Sequence, residues 1–175
     1  LAGMSVRMDL AGVTSIVRAL GIQERYYSRL CDFFHSSGLC MNTLSQLWTK
    51  SVIRLFPSIL RTNGRLLIVG DGIKIGKEGK KMPAVKSLHQ ESQSNSKPSY
   101  IMGHSFQSIG ILARAQDSVF TVPLVSRIHE GVVVSNRDSR TLLDKMILLL
   151  ESLQIPLPLY FIADAYYASH KIASK

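Results

Sequence analysis

Residues 65–74 read RLLIVGDGIK, and the fold turns on how this stretch is understood. The apolar run from Leu66 to Gly70 is short, rich in branched residues and bounded by glycines, which predicts a buried strand over Arg65–Gly70 with Asp71 at its end. Residues 159–164, LYFIAD, repeat the pattern: a short apolar run, then Asp164. Between them, Tyr100–Ala115 and Val119–Ile128 read as strands joined by the turn-like residues 116–118, with Pro123 marking an edge strand or a bulge. Residues 136–139 can cap an amphipathic helix whose apolar stripe is Leu142, Leu143, Met146, Ile147, Leu149, Leu150 and Leu153, ended by Pro156 and Pro158. The order β-β-β-α-β predicts an α/β fold. Three sequential strands can form an antiparallel meander, and the crossover helix returns the fourth strand parallel. If that strand lies beside the first, Asp71 and Asp164 share the rim where open α/β sheets place their ligands.

Upstream, residues 9–60 read as helices. Asp9 can cap the first, with Val13, Ile16, Val17 and Leu20 at helical spacing; the second runs from about residue 23 to 34; Asn42 or Thr43 can cap the third, which carries Leu44, Leu47, Trp48, Val52 and Leu55 and ends near Pro57. These aromatic-bearing helices are expected to serve as packing material. The pattern changes at Asn63-Gly64, giving a helical segment over 1–62 and an α/β domain over 63–175; residues 87–99 are polar and turn-rich and read as a loop.

With 175 residues and 46% apolar content the chain has material for a core, which excludes disorder, and two cysteines exclude a disulfide framework. No apolar run approaches the roughly 18 residues of a membrane span, so no membrane partner is expected, and no export signal is visible near Leu1. The net charge is +9, and residues 50–86 alone hold nine cations against Asp71 and Glu78, seven of those nine net charges. A one-sided block of this kind suits a polyanion such as DNA. Lys74, Lys77, Lys80, Lys81 and Lys86 are the expected phosphate contacts, each alternatively a solvated surface charge.

Singly, Asp71 between two glycines also reads as a turn residue and Asp164 as a helix cap. As a pair at one rim, two carboxylates repel unless a cation lies between them. Oxygen-only donors with open positions suit Mg²⁺ (or Mn²⁺), and two such ions can run phosphodiester chemistry. Other constellations are weaker. Cys31, His35 and Cys40 match no zinc spacing, and packing is favoured for His104. The glycines near Asp71 lack the ending of a phosphate loop, and Ser105 and Ser108 have no arranged base. Asp144 and Glu151 read as the solvated face of the crossover helix.

The pieces VGDGIK (69–74), GKKMPAVK (79–86), YIMGHS (100–105) and FIADAYYAS (161–169), in this order, resemble the DDE transposases of bacterial insertion sequences. The resemblance covers about residues 60–175 and extends to the preceding helices. It implies an RNase H-like catalytic domain that cleaves and transfers DNA strands at mobile-element ends, with Asp71 and Asp164 as the first two metal-binding acids. It also implies a bacterial cytoplasmic, nucleoid-associated setting and allows a homodimer in the full-length parent. The family's third acid, usually Glu, lies on a helix after a fifth strand. The chain stops 11 residues after Asp164, so a truncated domain without that acid is expected, and with it a catalytically incomplete remnant that still binds DNA. Glu130, Asp138, Asp144 and Glu151 precede Asp164 and do not replace it. The competing reading is an unrelated α/β hydrolase or nuclease, in which the two acids would not be neighbours.

Overall fold

The computed structural model describes residues 13–76, 84–89, 99–129, 140–164 and 167. Its elements run α1 (Val13–Ala19), α2 (Tyr26–His35), α3 (Met41–Leu55), β1 (Arg61–Thr62), β2 (Arg65–Gly76), β3 (Lys86–His89), β4 (Tyr100–Ala115), β5 (Ser118–Ile128), α4 (Leu142–Ser152) and β6 (Leu159–Ala163). The fold is mixed α/β. All six strands join one sheet in which β2 pairs β4, β4 pairs both β3 and β5, and β1 pairs β2, all antiparallel. The pairing of β6 with β2 is parallel.

The chain divides into two compact units, Leu1–Leu44 and Ser45–Lys175. The sequence border at 62/63 falls inside the β1–β2 hairpin, where Asn63 (φ 51°) and Gly64 (φ 76°) make a two-residue turn of the kind that needs positive φ at both positions. Residues 58–60 are already tied to the sheet: Leu60 N donates to Leu112 O at 2.9 Å and Arg114 N to Ser58 O at 2.9 Å. The Trp48 indole N–H likewise donates to Pro123 O at 2.7 Å.

In the first unit α1 buries Ser15, Ile16 and Val17, whereas α2 buries none of its side chains. Tyr27, Phe33 and Phe34 stay exposed, so the packing role expected of α2 is not met among the described residues. Asp9, the expected cap of the first helix, lies outside them.

In the second unit alternate residues of the strands face a single core. Leu66 and Ile68 of β2, Ile109, Ile111 and Ala113 of β4, and Val122, Leu124 and Val125 of β5 pack with Val52 of α3, with Met146 and Leu149 of α4 and with Leu153 just past its end. Each such side chain contributes about 1.5–3 kcal/mol by leaving water. On the other face, Ile73, Ile75, Tyr160 and Ile162 remain exposed. Pro123 sits where the β4–β5 register shifts: Gly110 faces Pro123 and Ile109 faces Val125, with Leu124 the extra residue. β5 thus carries the bulge the proline foretold.

Three expectations are corrected. β2 does not end at Gly70: β4 supplies ladder partners out to Gly76, so Asp71 lies inside a twelve-residue strand. Residues 86–89, three of the four assigned to a loop, form β3, because the start of β4 offers an open edge. The α4 cap is Thr141, whose hydroxyl accepts from Asp144 N at 3.2 Å while the Asp144 carboxylate accepts from Thr141 N at 2.9 Å. Asp144 is therefore half of a capping box and not simply a solvated charge, while residues 136–139 lie outside the described residues. No helix among the described residues is long and apolar enough to cross a membrane.

Candidate functional site

The parallel pairing of β2 with β6 runs from Leu66↔Leu159 to Gly70↔Ala163. Asp71 and Asp164 are the next residue on each chain, so 93 positions of sequence separation collapse to neighbouring backbones. Adjacent strands lie about 4.8 Å apart, which sets the scale of the separation between the two Cα positions. Strand alternation puts Asp71 on the face of Leu67 and Val69, opposite the buried Leu66, Ile68 and Gly70, and puts Asp164 on the face of Tyr160 and Ile162. Arg65 lies over the Tyr160 ring at 5.1 Å, which marks these as one face. Both acids are exposed.

The backbone around Asp71 shapes its carboxylate: Oδ1 accepts a hydrogen bond from Gly72 N at 2.7 Å. Across the sheet Asp71 opposes Ser108 of β4, and Ser108 in turn opposes Ser126 of β5. The two serine hydroxyls are hydrogen-bonded at 2.7 Å. In-register residues share a face, so Asp71, Ser108 and Ser126 form one row of oxygen-bearing side chains across three strands, and Asp164 follows the end of the β2–β6 ladder beside it. Sequence reasoning missed Ser126 and weighed Ser108 only as a nucleophile, because register, not spacing, brings them to the acid.

His104 is buried and faces Ile75, four positions along β2 from Asp71, with its ring edge-on to Phe106 at a centroid distance of 6.0 Å. Its burial and ring contact are those of the packing role favoured for it from the sequence. In the first unit, Cys31 is half-buried and Cys40 exposed; a hydrogen bond with Cys31 raises the Tyr27 phenol above its ordinary range, and His35 Nδ1 lies 2.7 Å from Cys31 O.

Of the basic residues, Lys74 lies on β2 three positions past Asp71 and its Nζ donates to His89 O at 2.8 Å; Lys86 opens β3. Lys77, Lys80 and Lys81 lie outside the described residues, on the connection between these two strands.

The donor chemistry of the rim suits a hard divalent cation: two carboxylates and two hydroxyls, with no thiol or imidazole in the row. No group of three or more His, Cys, Asp or Glu able to hold a metal occurs among the described residues, so Asp71 and Asp164 stand as a pair. Comparison with protein-family models, with curated proteins and with solved structures returns no match.

Proposed function

We propose that Ser45–Lys175 is an RNase H-like domain of the DDE transposase type, whose parent protein cleaves and transfers DNA strands, and that Asp71 and Asp164 hold its divalent cation. One observation carries this reading: the parallel ladder that ends at Gly70↔Ala163 and leaves the two acids side by side. The hydrolase alternative requires acids that are not neighbours, and the register speaks against it.

Asp71 and Asp164 would hold a Mg²⁺ or Mn²⁺ ion, which in the parent protein would supply positive charge for phosphate oxygens and lower the pKa of a bound water. The chain's own residues do the rest. Asp71 and Asp164 bind the cation, the Gly72 amide orients the Asp71 carboxylate, and the lysines from Lys74 to Lys86 meet the phosphate backbone. Among the described residues two carboxylates meet at this rim, fewer than a two-metal centre uses, so the 175-residue chain is expected to hold cation and DNA without cutting, and incubation with supercoiled plasmid and Mg²⁺ to yield no nicked product.

Fluorescence anisotropy of a labelled duplex, titrated with the 175-residue chain in the presence and absence of Mg²⁺, tests this. The expected result is binding that Mg²⁺ strengthens, with that increment lost in Asp71→Asn and in Asp164→Asn. Binding indifferent to Mg²⁺ in the wild-type chain, or an increment that both variants keep, contradicts the proposal.

A further inference from the structure

The core side of the same rim holds a residue that touches both acid-bearing segments. Tyr167 lies three positions past Asp164, and its backbone N–H donates to Asp164 O at 2.8 Å, closing a tight turn. Its side chain is 6% exposed and belongs to the core with Met146 and Leu149 of α4, with Phe161 of β6 packed against that core. Its hydroxyl reaches β2 at Gly72, where a Cβ would come within 2.9 Å of Tyr167 Oη. Gly72 is the residue whose amide holds Asp71 Oδ1.

The ladder gives this contact its significance. The parallel pairing stops at Gly70↔Ala163, so no β2–β6 register fixes Asp164 relative to Asp71. From there on, Tyr167 packs against both: its backbone N–H bonds to Asp164 O, and its buried ring brings its tip against Gly72, whose amide orients Asp71. It does so from the core face, opposite the carboxylates, so it does not touch a cation or a substrate.

We infer that Tyr167 is a positioning residue that sets the separation of Asp71 and Asp164, an inference that rests on reading the pair as a cation site. Groups behind a metal ligand typically change affinity by about 10–100-fold when disturbed. Gly72 offers a way to disturb Tyr167 without emptying the core, because an added methyl presses on the Tyr167 hydroxyl at 2.9 Å and otherwise makes only an ordinary contact with Phe106 O at 3.7 Å.

The test is Mn²⁺ affinity, read from the free-ion electron paramagnetic resonance signal, for the 175-residue chain and its variants well below their melting temperatures. Gly72→Ala is expected to weaken binding about tenfold, whereas Tyr167→Phe alone stays within about twofold of wild type. The double variant Gly72→Ala/Tyr167→Phe is expected to recover wild-type affinity, since losing the hydroxyl vacates the space the methyl takes. A purely structural role would not give this recovery pattern in Mn²⁺ affinity. Wild-type affinity in Gly72→Ala, or a double variant as weak as Gly72→Ala alone, overturns the inference. Should Gly72→Ala unfold the chain, Tyr167→Phe must restore both fold and Mn²⁺ binding, and a double variant that stays unfolded also overturns it. Absence of Mn²⁺ binding by the wild-type chain defeats the cation reading itself, and this role with it, before any variant is compared.

Discussion

Gln107 is fully buried on β4; its Nε2 donates to Leu142 O at 2.6 Å, while its Oε1 has no hydrogen-bond partner among the described residues. A buried acceptor left unpaired costs about 1–3 kcal/mol, so the amide is there at some expense. Gln107→Leu keeps the volume and removes the orphan, and urea unfolding is expected to show it within about 1 kcal/mol of wild type or more stable. Gln107→Ala instead opens a cavity and should lose about 2–4 kcal/mol. Equal losses in both would show that the amide hydrogen bond dominates. Gly70 makes the complementary point about space: a Cβ there collides with the Phe161 ring and lies 3.3 Å from Met146 Sδ. Gly70→Ala is expected to destabilise by about 1–3 kcal/mol through overpacking; an unchanged denaturation midpoint would mean the ring moves aside freely. Residues of these kinds differ in how legible they are. Asp71 and Asp164 stand out because each closes an apolar run. Gln107, Ser108 and Tyr167 do not, because what they meet depends on strand register and on chain brought from elsewhere.

Among the elements, α4 is the most clearly encoded. Its stripe from Leu142 to Leu153 is a wide apolar face, and Thr141-x-x-Asp144 supplies a reciprocal cap. Thr141→Ala and Asp144→Ala are each expected to cost about 1 kcal/mol, and the pair less than the sum, because each removes the same reciprocal bonds. Strict additivity in chemical denaturation would deny that they act as one cap. β2 and β6 were readable as strands, though only one face of β2 is buried and β6 is no more than half-buried, and Pro123 announced the β5 bulge. β3 was not readable: Lys86–His89 is short and polar, and it is a strand only because β4 runs on past β5 and presents an unpaired edge. The continuation of β2 past Gly72 has the same cause, since glycine pairs suggest a turn until a long partner strand is laid against them. α2 shows the opposite failure, a good amphipathic pattern whose apolar side chains the fold leaves exposed.

At the scale of the molecule, charge and topology meet at one place. The strand that carries Asp71 leads into the connection bearing Lys77, Lys80 and Lys81, and most of the net charge of +9 lies within residues 50–86. If that block neutralises phosphates, the logarithm of duplex affinity falls linearly with the logarithm of salt. Lys80→Glu/Lys81→Glu should then both weaken binding and flatten that slope by about two. An unaltered slope would place the contacts elsewhere on the chain. The α/β order was legible from composition and hydrophobic pattern alone, whereas the adjacency of the two acids needed the parallel register. That adjacency is the central claim, and a double-mutant cycle on Mn²⁺ affinity tests it most directly, with calorimetric titration of the wild-type chain, Asp71→Asn, Asp164→Asn and the double variant. Two acids gripping one ion predict strong coupling, with the double variant binding no more weakly than the weaker single one; two losses that simply add, or a single variant that binds as wild type does, would contradict it.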